Sequence, residues 1–151
     1  MTKIVVGVNA PSSDWNVARK IKASVMQFWF ADVISDIQVT EKMYQSERIL
    51  VIGGPISNSV SQRLNDEILH YTWYTWDSSG SGFKDSQGND LGLTVIKTYR
   101  NITAIWGWNA PDTIVCGDVF ISQESWKAPA AIAGVCGIGA LLYFGLRKKK
   151  R

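Results

Sequence analysis

The stretch Arg48–Pro55, RILVIGGP, decides the fold class of this chain. Four aliphatic residues follow the arginine without alternating with polar ones, and a Gly-Gly-Pro turn ends the run abruptly. Such a run is typical of a strand that is covered on both faces. Ser57 or Asn58 then caps a helix whose apolar residues recur at helical spacing. The segment therefore predicts a strand, a tight turn and a helix, in that order.

The same order of strand, turn and helix occurs twice more along the chain. Lys3–Val8 is a second apolar run without alternation, and a helix with basic residues on its outer side follows it. The predicted ranges are strands at Lys3–Val8 and Asn101–Trp106, turns at Asn9–Ser13 and Gly107–Pro111, and helices at Asp14–Phe30 and Asp112–Ser122. Three such units predict an α/β fold with a mostly parallel sheet flanked by helices, a three-layer architecture of the Rossmann or flavodoxin kind.

Three further segments are predicted as strands: Asp32–Thr40, the aromatic Leu69–Trp76, and Leu91–Tyr99. Asp77–Asp90 is rich in Ser, Gly and Asp, which predicts a loop or the tip of a hairpin. The aromatic segment is expected to add antiparallel pairing at an edge of the sheet. Residues 1–122 are thus expected to form one α/β domain with a single core.

Ala128–Leu146, APAAIAGVCGIGALLYFGL, is an uncharged apolar stretch of about 19 residues. A helix of that length spans roughly 28 Å, close to the ~30 Å hydrocarbon thickness of a bilayer. We therefore predict one transmembrane helix after a linker at Gln123–Lys127, in which Trp126 suits the membrane interface. Small residues stand four apart in this helix, at Ala130 and Gly134 and at Ala133 and Gly137. They either let another helix approach closely or simply belong to a mildly apolar anchor.

Five basic residues follow this stretch directly: Arg147, Lys148, Lys149, Lys150 and Arg151. Residues 1–146 hold 11 of the 16 basic side chains and all 13 acidic ones, so the domain is not basic and a nucleic-acid partner is not expected. The positive-inside rule places the basic tail in the cytoplasm, at anionic lipid heads, and the domain outside. The apolar run near the N-terminus is too short for a signal peptide, so a tail-anchored protein that faces the cytoplasm is the alternative.

The turns after the three strands contain the candidate binding residues. Gly53, Gly54 and Pro55 expose backbone amides that suit a phosphate, but the spacing is neither a dinucleotide fingerprint nor a P-loop, and a chain reversal needs the same glycines. Asp14 and Asp112 each begin a helix, where two carboxylates suit acid–base chemistry or a cation, and where capping alone also explains them. No complete catalytic or cofactor motif is present, and we expect a protein that is not an enzyme.

Several other residues are weaker candidates. Four oxygen-bearing side chains of the 77–90 loop suit calcium but lack the EF-hand pattern; they are Asp77, Asp85, Asn89 and Asp90. Asn101 begins an N-glycosylation sequon, which has meaning only if the domain lies outside. Cys116 and His70 form a conceivable nucleophile pair, although a single thiol is more often a core residue.

Tryptophan is abundant, with seven residues in the chain. Four of them cluster near the predicted strands: Trp73, Trp76, Trp106 and Trp108. Such a cluster forms either an exposed surface for protein or sugar contact, or part of the core and its edges.

Three segments contain motifs that together resemble a known architecture: Val5–Ile21, Ile49–Asn65 and Ile102–Phe120. The residues that carry the resemblance are Asp14, Ala18, Gly53, Gly54, Pro55, Asn58, Gly107, Trp108, Ala110, Asp112 and Thr113. In order and spacing they resemble the α/β module of archaeal S-layer and surface-layer-like proteins. The resemblance implies a structural, non-enzymatic role in an archaeal envelope. S-layer proteins are far longer, have several domains and carry signal peptides, whereas this chain has one module.

The leading hypothesis is therefore an envelope protein, displayed outside a membrane by one C-terminal helix, that contacts the bilayer, other envelope or membrane proteins, or further copies of itself. An accessory subunit of a membrane complex and an archaeal virion envelope protein are alternatives of the same class. A tethered ligand-binding or enzymatic domain is the alternative of another class. In a parallel sheet its three turns would meet at one edge, where such folds bind ligands.

Overall fold

The computed structural model describes residues 1–77 and 80–125, without the side chains of 73–77 and 80. Within these residues no helix is long and apolar enough to cross a membrane. The predicted transmembrane helix Ala128–Leu146, the interfacial Trp126 and the basic residues 147–151 lie outside the described residues. Those three predictions therefore stay predictions.

The described chain contains eight strands and four α-helices. The strands are β1 (Thr2–Val6), β2 (Asp32–Ser35), β3 (Arg48–Ile52), β4 (Thr72–Asp77), β5 (Gly80–Lys84), β6 (Asp90–Gly92), β7 (Thr94–Tyr99) and β8 (Ile102–Gly107). The helices are α1 (Ser12–Ser24), α2 (Glu41–Ser46), α3 (Ser59–Leu64) and α4 (Ala110–Ser125). Short 3₁₀ turns at Met26–Phe28 and Asp36–Gln38 and a π turn at Asn65–Leu69 complete the regular structure.

Five strands form the main sheet in the order β2-β1-β3-β8-β7. β1 is parallel to β2 and β3, β3 is parallel to β8, and β7 is antiparallel to β8. The predicted mostly parallel α/β sheet is thus confirmed. We call the edge where β1, β3 and β8 end the carboxyl edge, and the edge where they begin the amino edge. β4, β5 and β6 form a separate antiparallel sheet, so the aromatic segment does not pair at an edge of the main sheet as predicted; β7 is the antiparallel edge strand there.

The core lies on both faces of the main sheet, because successive strand residues point to opposite sides. Ile4 and Val6 of β1 pack in one apolar cluster with residues of α1 and α4, whereas Val5 packs in a second cluster with residues of α2 and α3. Both clusters consist of buried side chains. This burial explains why Ile4–Val6 and Ile49–Ile52 read as apolar runs without alternation. Val8, predicted as the end of the first strand, lies beyond β1 and is exposed.

Several element boundaries differ from those predicted. α1 ends at Ser24 and not at Phe30, because Val25 adopts an extended backbone and a 3₁₀ turn follows. β2 ends at Ser35, where the 3₁₀ turn 36–38 begins, so the predicted strand to Thr40 is too long.

The other differences concern elements that periodicity describes poorly. α2 was not predicted; it is a short helix that Thr40 caps by accepting a hydrogen bond from the Met43 amide. β4 begins at Thr72 and not at Leu69, because the π turn continues α3 and His70 ends it in the left-handed conformation. The 77–90 loop contains β5, and α4 continues to Ser125, so the predicted linker begins as helix.

Candidate functional site

The three turns after β1, β3 and β8 meet at the carboxyl edge and enclose a pocket of about 240 Å³. The lining residues are Pro11 and Asp14 from the first turn and the start of α1, Gly54–Ser57 from the second turn, Gly107–Ala110 and Thr113 from the third turn and the start of α4, and Phe83 from β5. The convergence follows from topology, since the carboxyl ends of neighbouring parallel strands lie side by side. We call this cavity the carboxyl-edge pocket.

Aromatic and aliphatic side chains form most of the pocket wall. The Phe83 and Trp108 rings meet edge to face, with centroids 6.0 Å apart and planes at 80°. The Trp108 amide donates to the Leu93 carbonyl at 2.9 Å, which fixes the backbone of this wall. Pro11 and Ile56 add further apolar surface. The pocket wall is therefore apolar and partly aromatic.

Asp14 is the acidic residue of this pocket. It is the third residue of α1 and only 2% exposed, and its Oδ1 accepts a hydrogen bond of 3.3 Å from the Ser13 hydroxyl. A carboxylate at this helix position often accepts from the N-cap amide, but the N-cap is Pro11, which has no N–H. Burial raises the pKa of Asp14, which the Ser13 hydrogen bond partly offsets. Among the described residues, no lysine or arginine forms an ion pair with it.

Gly53 makes room for the Asp14 carboxylate. Its φ of 89° lies in the left-handed region, and a Cβ there would stand 2.5 Å from Asp14 Oδ2 and 2.8 Å from Ser57 Oγ. The glycine of the Gly-Gly-Pro turn thus permits the close approach of two pocket turns. The predicted alternative, a phosphate cradle, remains untested, and the acidic Asp14 beside this glycine is unfavourable for an anion.

Two buried polar side chains hold the turns in place. Asp36 accepts four hydrogen bonds of 2.8–3.0 Å, from the amides of Val8, Ile37 and Ser59 and from the Ser59 hydroxyl. Asn58 donates to the carbonyls of Val5 and Ile52 and accepts from the first turn of α3. Both residues therefore tie the ends of neighbouring strands to α3.

Sequence reasoning found only part of this arrangement. It named seven residues that line the pocket, Asp14, Gly54, Pro55, Gly107, Trp108, Ala110 and Thr113, and also Asn58, which bonds to the strands that lead to it. It missed Asp36, which lay inside a predicted strand, together with Phe83 and Gly7. A Cβ on Gly7 would stand 1.6 Å from the Ser57 carbonyl oxygen, so glycine is required there. The Gly in the apolar run VVGV was the available signal for that close approach.

Asp112 does not line the pocket with Asp14. It is the third residue of α4, and its amide donates to Asn109 Oδ1 at 2.9 Å. The two aspartates thus have the same position in their helices but different surroundings. The pocket contains one carboxylate, and the paired acid–base hypothesis receives no support from its lining.

The remaining candidates lie away from this pocket. Cys116 is buried, which raises the pKa of its thiol to about 12 and keeps the thiol protonated at neutral pH. Asp85 accepts from the amides of Gln87 and Asn89, so it stabilises its own turn. Within the described residues, no three metal-binding side chains cluster together. Trp106 is fully buried in the core.

Asn101 lies at the amino edge, where its Nδ2 donates to the carbonyls of Tyr44 and Glu47 at 3.0 and 2.6 Å. A glycan would replace one hydrogen of this nitrogen, so glycosylation of the folded domain would remove one of the two hydrogen bonds. The predicted modification stays a prediction, and it is compatible with this fold only if that bond is lost.

Comparison with known protein families finds no match to this chain, and comparison with curated proteins finds none either. The function must therefore be argued from the geometry of the carboxyl-edge pocket and from the sequence that follows the domain.

Proposed function

We propose that this protein is a non-enzymatic binding module of a membrane envelope, held by one C-terminal transmembrane helix, whose carboxyl-edge pocket receives a lysine side chain of a partner protein. The observation that carries the proposal is Asp14, a carboxylate buried in an apolar pocket without a cationic partner among the described residues. The S-layer-like resemblance and the apolar segment 128–146 support the envelope setting.

A positively charged ligand compensates for the burial of Asp14. An ionised carboxylate loses hydration in an apolar site, and an ammonium group that reaches it restores the interaction. The rest of a lysine side chain also suits the pocket, because its methylene stem can lie along the apolar wall. The ring faces of Phe83 and Trp108 add favourable contact for a cation that passes them.

The surroundings of the pocket favour a protein partner over a free amine. Ile56, at the pocket rim, is 82% exposed, and Val8 and Ile37 are exposed on the adjoining turns. The hydrogen bonds of Asp36 connect these turns, so the exposed aliphatic side chains belong to one edge of the domain. Clustered apolar side chains around a pocket are typical of protein contact sites.

The strand order also supports a binding site at the carboxyl edge. The order β2-β1-β3-β8 follows the flavodoxin-like arrangement, in which the chain leaves β1 to one side and reaches β3 on the other. Folds of this kind bind ligands at the carboxyl ends of the strands, next to the point where the order reverses. The Asp14 turn follows β1, and the Gly-Gly-Pro turn follows β3.

The proposal is tested by calorimetric titration of the full chain in detergent with two probes, N-acetyl-lysine methylamide and N-acetyl-norleucine methylamide. The probes differ mainly in the ammonium group. We expect the lysine probe to bind about 10- to 100-fold more tightly, the usual range for a charge-assisted hydrogen bond. Asp14→Asn should abolish this preference, whereas Asp112→Asn, at the same helix position but outside the pocket, should leave it unchanged.

The pH dependence provides an independent check. Only ionised Asp14 attracts the ammonium, so the preference should disappear as the pH falls through the raised pKa of Asp14. Equal binding of the two probes, or a preference that survives Asp14→Asn, would contradict the proposal. Butylamine is the third probe: if it binds as tightly as the lysine probe, the ligand is a small amine and not a protein side chain.

A further inference from the structure

Three apolar side chains stand out on the surface between α1 and β2. Phe30 is 91% exposed, and Met26 and Trp29 are each about half exposed. They belong to or directly follow the 3₁₀ turn after α1. We call these three residues the aromatic patch. Three exposed apolar side chains within five consecutive residues form a group, and grouped apolar side chains mark a contact surface more than a single one does.

The aromatic patch lies at the amino edge, beside the end of α4. Gln27, within the same turn, donates a hydrogen bond to Glu124, the next-to-last residue of α4. The Phe28 ring stacks on Phe120 with centroids 6.0 Å apart. Arg48, the first residue of β3, donates to Gln27 at 2.9 Å. The patch is therefore adjacent to the point where the described chain ends.

Very little sequence separates this point from the apolar segment. Only two residues separate Ser125 from Ala128. The Cα atoms of Ser125 and Ala128 are therefore at most about 11 Å apart. The interfacial region of a bilayer is itself roughly 5–7 Å thick on each side. If 128–146 spans a bilayer, the amino edge must lie close to the surface of that bilayer.

We infer that the aromatic patch inserts into the interfacial region of the bilayer that the segment 128–146 spans, so that the carboxyl-edge pocket faces away from the membrane. This inference rests on the membrane anchoring in the proposed function and is independent of what the pocket binds. Trp and Phe are favoured at this depth, where amphipathic and aromatic rings replace interfacial water.

The charges of the amino edge are compatible with anionic lipid heads. Arg48 and Arg100 are exposed there, on the first residue of β3 and on the turn between β7 and β8. The nearby acidic residues are Asp32, Glu47 and Glu124. Asp32 and Glu47 lie 2.6 and 3.8 Å from the Lys3 ammonium, which balances part of their charge, and Glu124 accepts a hydrogen bond from Gln27. Basic side chains near a membrane surface each add to its attraction for the protein.

The test compares two labelled positions on the same full chain. Phe30→Cys and Ile56→Cys are made separately in a Cys136→Ala background, in which the remaining native thiol, Cys116, is buried. Each variant is labelled with a polarity-sensitive fluorophore and reconstituted into phosphatidylcholine–phosphatidylglycerol vesicles that contain headgroup-nitroxide lipids. Position 56 is the matched control, because Ile56 is similarly exposed but lies at the carboxyl edge. We expect a blue shift and about twofold or stronger quenching at position 30 relative to position 56.

The outcomes separate this inference from the proposed anchoring. If the protein floats with the vesicles but both labels are equally quenched, or position 30 remains in water, the inference is wrong and the anchoring stands. If the protein does not float with the vesicles, the anchoring itself is wrong. Circular dichroism of each variant confirms folding, which the exposure of both side chains leads us to expect.

Discussion

Two buried aspartates at the carboxyl edge show how neighbouring residues of one type acquire different roles. Burial would raise the pKa of Asp36, but its hydrogen bonds from Ser59, Val8 and Ile37 outweigh that effect and lower it. Asp14 has one weak hydrogen bond, so burial dominates and its pKa rises. Asp36 is therefore satisfied by the fold itself, whereas Asp14 remains available to a ligand.

Asp36→Asn should destabilise the domain. An NH₂ group replaces one carboxylate oxygen, and this group cannot accept the hydrogen bonds that the oxygen accepts. We expect a loss of about 2–4 kcal/mol at neutral pH. The pKa of Asp36 is lowered by folding, so its contribution is present above the unfolded value of about 4 and is lost as the pH falls through the folded value.

Urea unfolding between neutral and acidic pH measures this effect. The difference in the free energy of unfolding between wild type and Asp36→Asn should become smaller as the pH falls below about 4. Asp66→Asn is the control, since Asp66 is exposed on the π turn and should change stability by less than about 0.5 kcal/mol. A difference that stays constant with pH would contradict the role given to the Asp36 carboxylate.

At the scale of elements, α3 depends on one side chain that also joins the sheet. Asn58 is 1% exposed; its Oδ1 caps α3 by accepting from Val60 and Ser61, and its Nδ2 donates to the ends of β1 and β3 at 3.3 and 3.1 Å. The helix is only six residues long, so it cannot be stable without such tertiary support. Its position relative to the pocket therefore follows from Asn58.

Asn58→Ala should cost about 2–4 kcal/mol, because it removes the cap and leaves two buried carbonyls without their donor. Asn58→Ser retains an oxygen that can cap the helix but loses the donation to the strands, so its cost should be intermediate. Denaturant unfolding gives the free energies, and amide exchange at Val60 and Ser61 reports the cap. Equal destabilisation by both variants would show that capping by Asn58 adds nothing.

At the scale of the whole molecule, the two edges of the main sheet have different surfaces. The carboxyl edge contains the pocket with its single carboxylate, and the amino edge contains the aromatic patch and the end of α4. The helix α4 connects the two, since it begins beside the pocket at Ala110 and ends at Ser125. A domain with its pocket at one edge and its attachment point at the other is suited to presenting the pocket away from a membrane.

The orientation predicted from the basic tail is tested at this scale. Protease added to intact cells should digest the domain of the wild type, if the basic residues 147–151 hold the C-terminus in the cytoplasm as the positive-inside rule predicts. Replacing these five residues by glutamine should leave a substantial fraction of the domain protected, whereas replacing them all by lysine should change nothing. Full protection of the wild-type domain would instead favour a tail-anchored protein that faces the cytoplasm.

Local sequence predicted the buried strands well and the helix ends poorly. β3 ends at Ile52, directly before the Gly-Gly-Pro turn that predicted its end, because an apolar run between Arg48 and such a turn has few alternatives. The end of α1 was predicted wrongly, because no Gly or Pro marks the point where Val25 leaves the helical backbone conformation. Val25 and Phe28 are instead both buried in the core. Helix ends of this kind depend on packing.

The amino-acid sequence by itself determined the mostly parallel sheet and the position of each pocket turn, because burial on both faces and chain reversal impose apolar runs and glycines that can be read locally. Only the tertiary structure decided that Asp14 and not Asp112 lines the pocket, that Phe83 closes its wall, and that the aromatic patch lies beside the end of α4. These contacts join residues far apart in the chain, and the order and direction of the strands bring them together.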